Sequence, residues 1–306
     1  MIIRTTGEII SGFHALGHIS SPVFCLNGPV PVIFEAGFTC LTEYIKADAE
    51  ALPGDRAPAY LFITHAHYDH IGAVSYLKDL WPEMQVVSSP EAREIMDKKS
   101  AVGHMKELNR IVSSRMKDWK IDGSAPLFFD GDFKPFTMDM EIAGEETLTI
   151  DDTHTVQVIG TPGHTRDSVS FYIPEKKILI ASEAIGTQDY TGYIFSDFLV
   201  DFEAYMDSLA RLESLNVEVL CQGHNMVFTG ADARARLKHA RIKANEFARM
   251  VEIMLQEEGE SQDKVVARIK RDEYDSRPAP KQIEEAYLIN LRAKVRIILD
   301  RMKPAA

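Results

Sequence analysis

One stretch constrains this chain more than any other: Thr64-His65-Ala66-His67-Tyr68-Asp69-His70-Ile71-Gly72. Three imidazoles and a carboxylate fall within six residues, directly after the apolar run Ala59-Tyr60-Leu61-Phe62-Ile63. A strand that ends in such a cluster presents it at the carboxyl edge of a sheet, where α/β folds keep their chemistry. Imidazole and carboxylate together suit zinc, iron, manganese or nickel. An apolar strand followed by a ligand-capable residue recurs three times. Residues 155–159 run into Gly160-Thr161-Pro162-Gly163-His164, residues 177–181 into Ser182-Glu183, and residues 217–221 into Gln222-Gly223-His224. Four such ends, spread over alternating strands and helices, form a constellation that a chance surface histidine run does not explain.

The rest of the pattern is that of an α/β chain. Residues 22–26 and 30–35 read as a hairpin around Asn27-Gly28-Pro29. A helix over 42–52 is stopped by Pro53-Gly54, a helix over 73–80 ends before Pro82, and residues 84–87 form a strand. Ser88-Ser89-Pro90-Glu91 opens a further helix, with serine as cap and proline in the first turn. Over 100–119, Val102, Met105, Leu108, Ile111, Val112 and Met116 recur at helical spacing. That helix is either core packing or a lid whose methionines suit an apolar acyl or aromatic group. Residues 169–173 and 177–181 form a second hairpin near Glu175-Lys176, and 203–215 a helix.

From about Gly230 the texture changes to three helical patterns, 231–258, 261–271 and 280–302, hinged at 259–262 and 276–280. Ile242, Phe247, Met250, Ile253, Met254, Tyr287, Leu288, Leu291, Val295 and Ile298 recur on their faces and call for a partner surface. The expected division is a metal-hydrolase domain over 1–230, with a helical insertion at about 90–120, and a helical cap over 231–306. The cap and the insertion together would wall off a pocket above the metals.

Composition then limits the partners. A net charge of −12 argues against a nucleic-acid binder, while a dinuclear metal centre would still supply local positive charge for an anionic substrate. Cys25, Cys40 and Cys221 are odd in number and far apart, which fits no disulfide framework and favours the cytoplasm. The N-terminal residues carry no secretion pattern, and no apolar run reaches the roughly 18 residues of a membrane span. The expected partner is a small-molecule ester, thioester or phosphoester, with a homodimer as the expected assembly and neither nucleic acid nor membrane.

His65-x-His67-x-Asp69-His70, a later Gly-His164, a strand-end carboxylate and a final Gly-His224 resemble the metallo-β-lactamase superfamily, in order, over most of residues 10–230. Within it, the chain most resembles the quinolone-signal thioesterase type. That likeness rests on residues 63–70, on Ser100-Ala101-Val102 with Leu108-Asn109-Arg110, and on Phe202-Glu203-Ala204-Tyr205-Met206 with Ser208-Leu209. The resemblance implies an αββα metallo-β-lactamase sandwich with an inserted helix and a helical C-terminal cap. It implies two divalent metal ions, zinc or iron with manganese also suitable. His65, His67 and His164 would hold one; Asp69, His70 and His224 the other. The family usually bridges the two with the aspartate of a Gly-Asp pair, where this chain reads Ser182-Glu183. The longer side chain could bridge with a shifted backbone, bind one ion, or be displaced. Glu35 stands where the family often has an acidic residue beside the ligands.

The chemistry of such residues is hydrolysis. Two close cations lower the pKa of a bridging water, giving hydroxide near neutral pH and polarising the carbonyl or phosphoryl oxygen it attacks. Asp69 would orient that hydroxide as the catalytic residue. No Gly-x-Ser-x-Gly elbow is present, and Cys221 reads as a buried strand residue. A thioester or similar ester leads as substrate, with a phosphodiester or a glyoxalase-II-type substrate as alternatives, and a weakly catalytic binding protein on the same scaffold as a further one. His14, His18, His154 and His239 read as structural or exposed. His104, Asn109, Arg110, Arg166 and Ser168 are candidates for contact with substrate or with the ligands.

Overall fold

The computed structural model of the chain describes residues 1–52, 54, 56–116, 128–278 and 281–303. The first half runs β1 (Ile2–Ile3), β2 (Gly7–Ile10), β3 (Phe13–His18), β4 (Ser21–Leu26), β5 (Val32–Phe34), α1 (Thr42–Glu50), β6 (Tyr60–Phe62), α2 (Val74–Leu80), β7 (Gln85–Ser88), α3 (Pro90–Met96), α4 (Lys99–Met116) and β8 (Met140–Glu141). The second half runs β9 (Thr147–Thr149), β10 (Thr155–Gly160), β11 (Val169–Ile173), β12 (Ile178–Ile180), β13 (Thr187–Gln188), β14 (Ile194–Phe195), α5 (Phe202–Glu213), β15 (Val219–Cys221), β16 (Val227–Thr229), α6 (Ala231–Glu257), α7 (Gln262–Ile269) and α8 (Glu284–Met302).

Two seven-stranded sheets face each other, ordered β2-β3-β4-β5-β6-β7-β8 and β1-β16-β15-β12-β11-β10-β9. The first is antiparallel from β2 to β5 and parallel from β5 to β8. In the second, β12 and β15 are parallel and every other neighbour is antiparallel. Helices cover both outer faces, which is why strands such as β4 are buried at every residue and read as continuous apolar runs. This is the αββα sandwich implied by the motif set.

Between the sheets, Phe34, Phe62 and Phe171 meet with ring centroids 5.1–5.6 Å apart. Losing one such ring would cost about 3–5 kcal/mol. Phe34 and Phe62 end β5 and β6, so this contact fixes the strand ends from which Glu35 and the histidine loop depart. α1 to α4 close the first sheet's outer face, and α5 to α8 the second's, each in one apolar cluster.

Local signals explain several boundaries. Ser89 caps α3, its hydroxyl accepting from the Ala92 N–H, with Pro90 in the first turn as the sequence indicated. Asp201 caps α5 in the same way through the Ala204 N–H. The hairpins β4–β5 and β11–β12 are both present. The helix expected over 100–119 is observed as far as Met116, and its remaining residues lie outside the described ones, as do Pro53, Ala279 and Pro280. The helix expected from residue 280 starts at Glu284.

The cap expectation needs one correction. Phe247, Met254, Tyr287, Leu291, Val295 and Ile298 are buried, but Ile242 and Ile253 are about half exposed, at 51% and 54%. α6 is long enough that helical spacing alone marks more apolar positions than its partners cover. The helices after Gly230 share one cluster with α5 and the second sheet, and an exposed Arg115–Glu285 ion pair of 2.9 Å ties α8 to α4.

Candidate metal centre

Five strand ends meet at one edge. Glu35 follows β5, the loop His65 to His70 follows β6, His164 follows β10, Glu183 lies in the 3-10 turn Ser182–Ile185 after β12, and His224 follows β15. β10 and β12 both run antiparallel to β11, so they point the same way as β15 and deliver their ends together. The sharp exits require unusual backbone. Glu35, Ser182 and Asn225 have φ of 68°, 49° and 70°, conformations that cost a non-glycine residue about 1–3 kcal/mol and concentrate at functional sites. Gly72 ends the motif because a Cβ there would collide with the backbone of Gly37, Phe38 and Thr39.

All seven predicted ligands come together in three overlapping sets: His65, His67 and His164; His65, His70 and Glu183; Asp69, His70 and His224. Within each set the ligand atoms lie within 4.8 Å of one another. His67 Nδ1 is 3.2 Å from His164 Nε2. Asp69 Oδ2 is 3.3 Å from His224 Nε2. Glu183 spans the sets: Oε2 is 3.7 Å from His65 Nε2, while Oε1 is 2.9 Å from His224 Nε2 and 3.3 Å from His70 Nε2. The longer carboxylate is therefore not displaced. Room for it comes from Gly223, whose Cβ, if present, would lie 2.7 Å from Glu183 Cδ.

A second ring of contacts turns the donors inward. His70 Nδ1 meets Glu35 Oε2 at 3.0 Å, His65 Nδ1 meets Thr64 Oγ1 at 3.0 Å, and His164 Nδ1 and His224 Nδ1 donate to the carbonyls of Asp197 (2.5 Å) and Ser20 (2.6 Å). With Nδ1 committed, His65, His70, His164 and His224 each turn Nε2 to the centre. Glu35 thus stands beside the ligands as expected. His65 Nε2, His70 Nε2 and Asp69 Oδ1 are buried and lack any hydrogen-bond partner among the described residues. Converging orphan donors of this kind fit a cation, since a buried polar atom left unpaired is costly.

The electrostatics agree. Burial, then the neighbouring histidines, holds His65 well below its usual range, and the same two causes bring His67 down to about 4. Burial alone would raise Asp69, but His70 and the His224 hydrogen bond hold it at about 2. Burial would likewise raise Glu183, and the same two histidines hold it well below the carboxylate range. His70 and His224 go the other way: against burial, the surrounding carboxylates raise both, His224 to about 10.

The other candidates divide. Asn109 is buried on α4, accepting from the Thr39 N–H and donating to the Tyr68 carbonyl, so it braces the histidine loop from behind. Arg110 is exposed and paired with Glu107, and His104 and Arg166 are exposed. Ser168 closes the turn after His164 by bonding Thr165 Oγ1 at 2.5 Å. His14, His18 and His154 are half-buried, the last two with partners Ser20 and Asp151, and His239 is exposed. Cys221 is fully buried, and burial pushes its thiol well above the usual value. Sequence reasoning missed Asp167, whose buried carboxylate accepts from the Ala66 N–H at 2.7 Å and ties the His65 loop to the His164 turn. Only its position three residues after His164 marked it.

A sequence model of the metallo-beta-lactamase superfamily matches residues 31–224, well over half of the chain. The chain belongs to the metallo-beta-lactamase superfamily. Among relatives, a beta-lactamase-like protein 2 homolog of Caenorhabditis elegans is 27% identical over 66% of this chain and 54% of its own length. A hydroxyacylglutathione hydrolase of Bartonella quintana is 28% identical over 60% and 57%. An atrochrysone carboxyl ACP thioesterase of Aspergillus fumigatus is 21% identical over 61% and 44%. The chain thus spans about half the length of these relatives. A superfamily protein of Sulfolobus tokodaii shares the fold with a TM-score of 0.59, at 17% identity, over 95% of this chain and 99% of that one. No helix of the described residues is long and apolar enough to cross a membrane.

Proposed function

We propose that the chain is a dinuclear metal-dependent hydrolase acting on a thioester or a similar small-molecule ester. The observation that carries this reading is the Glu183 carboxylate, one oxygen toward His65 and the other toward His70 and His224. His65, His67 and His164 would hold one divalent cation and Asp69, His70 and His224 the other, with Glu183 shared. The donor set suits zinc or iron, and manganese as well. When bound, such a pair acidifies water and polarises the substrate carbonyl.

The chain's own residues supply the rest. Asp69 keeps Oδ2 on His224 and leaves Oδ1 unpaired, so Oδ1 can accept a proton-bearing group and aim an attacking water. Its low pKa keeps it an acceptor throughout the neutral range. His65, His70 and His164 are 1–2% exposed, so bulk water is excluded from that side. His67 and His224 are the ligands that are not fully buried, and they mark the side from which substrate enters. Cys221 is too deeply buried to act as a nucleophile.

Two of the relatives are named as an acylglutathione hydrolase and an ACP thioesterase, which favours a thioester over a phosphodiester. The quinolone-signal thioesterase branch rests on the sequence motifs that include Asn109 and Tyr205; here Asn109 braces the Tyr68 carbonyl, and Tyr205 Oη donates to the Glu183 carbonyl at 3.4 Å. The test is turnover of a panel of acyl thioesters, S-acyl glutathiones and aryl phosphodiesters by the metal-loaded protein. Thioester hydrolysis well above phosphodiester hydrolysis is expected. Phosphodiester cleavage alone would overturn the substrate assignment.

A further inference from the structure

Arg236, on α6, is the largest fully buried side chain among the described residues, 2% exposed. Its Nε and Nη1 have no hydrogen-bond partner among the described residues. The guanidinium lies over the Phe228 ring at 5.8 Å, its hydrogen bonds all come from Nη2, and their three acceptors share one location. It donates to the carbonyls of Ile185 (3.1 Å) and Gly186 (2.8 Å) and to Gln222 Oε1 (3.4 Å). Keeping a guanidinium so buried and so poorly satisfied is costly, and an apolar side chain would serve packing alone at least as well.

Each partner leads to a ligand of the centre. Ile185 and Gly186 end the 3-10 turn that begins at the strained Ser182 and carries Glu183, and the Gly186 N–H donates back to the Glu183 carbonyl at 2.9 Å. Gln222 precedes Gly223, the residue that leaves space for Glu183. Its Nε2 donates to the carbonyl of His224 at 2.5 Å and to that of Gln188 at 2.9 Å. β12 and β15 are parallel neighbours, so their two exit loops lie side by side with Arg236 beneath both. The last backbone bond between them is Ala181 N–H to the Cys221 carbonyl, 3.0 Å, and beyond it no backbone hydrogen bond among the described residues joins the two loops.

We propose that Arg236, acting with Gln222, is a positioning residue that braces the Glu183 turn against the His224 loop and so sets the geometry of the second metal position. The helix after Gly230 is then a working part of the centre, and its removal would change metal content as well as packing, contrary to the expectation that such a tail mainly shapes the pocket. The inference rests on the reading that Asp69, His70, Glu183 and His224 hold that ion.

The test is cobalt(II) titration of chelator-stripped protein, followed by visible absorption, for wild type, Arg236→Met and Arg236→Lys. Wild type should take up two ions. In Arg236→Met the step assigned to His65, His67 and His164 should change less, since Glu183 lies 3.7 Å from His65 but 2.9 Å from His224. The other should weaken about 10- to 100-fold, the range found when residues that orient ligands are removed, with a shifted absorption band. Arg236→Lys should restore part of both. A merely structural role would lower the melting temperature of stripped and loaded protein alike and leave both steps as in wild type, which would overturn the proposal. Should Arg236→Met not fold, Gln222→Leu removes the arm to His224 while leaving α6 docked. It should show the same selective loss, and an unaltered second step there would overturn the proposal. Wild-type protein that bound no cobalt would instead overturn the ligand assignment, a separate failure.

Discussion

Replacing Gly223 by alanine should push Glu183 out of the centre. The added Cβ would lie 2.7 Å from Cδ and 2.9 Å from Oε2 of Glu183, and closer still to Oε1. The backbone at Gly223 lies outside the left-handed region, so alanine itself meets no strain there and the collision is the whole penalty. Overpacking of this kind costs about 1–3 kcal/mol, which is about 5- to 150-fold in affinity. The carboxylate faces both histidine sets, so the loss should fall on metal binding rather than on the fold of the stripped protein. The assay is zinc competition against a chromophoric chelator, beside thermal melts of the stripped protein. Glu183→Asp shortens the side chain by one methylene, and the double variant should recover affinity with a coupling of at least about 0.5 kcal/mol, as residues in contact show. Wild-type affinity in Gly223→Ala, or no relief in the double variant, would refute the steric argument.

Glu35→Gln removes the anionic partner of His70 Nδ1 and should weaken metal binding about 10- to 100-fold, read in the same competition; unchanged affinity would show that the 3.0 Å contact is idle. Metal binding should release about two protons near neutral pH, from His70 and His224, which calorimetry in buffers of different ionisation enthalpy would show as a buffer-dependent heat; a buffer-independent heat would contradict the raised pKa values. In the stripped protein, His224 is raised from 6.5 to about 10, so its stabilisation is complete below 6.5 and is lost as pH climbs toward 10. Asp69 is lowered from 3.8 to about 2, so its share is complete above 3.8 and lost as pH falls through 2. His65 and His67 are lowered, so they add a loss as pH falls below 6.5; denaturant midpoints of the stripped protein should therefore be highest near pH 6.5 and fall on both sides, and a flat profile from pH 4 to 10 would contradict this.

Much of the centre was legible because its parts are side chains at strand ends, where an apolar run stops and a histidine or carboxylate follows. His65, His164, Glu183 and His224 all carry that signature. What escaped was structure without a side-chain signal. The partners of His164 and His224 are the backbone carbonyls of Asp197 and Ser20, which any residue could supply. β1, β13 and β14 are two residues long, too short for any periodicity to mark them. Arg236 lies in a helix rich in charged residues, and nothing in the local pattern separates it from its exposed neighbours Arg234 and Lys238. Whether Glu183 could replace an aspartate depended on the space left at Gly223, after the neighbouring strand β15 and about 40 residues along the chain.

The central claim is a pair of metal positions joined by Glu183, and elemental analysis of gently purified protein tests it most directly, comparing wild type with Glu183→Ala. The account predicts about two first-row transition ions per chain in the wild type, since six histidine and aspartate ligands and one shared carboxylate converge there, and the loss of at least one in the variant. A wild-type protein that carries no metal and binds none on titration, or a Glu183→Ala variant that keeps both ions, would contradict it.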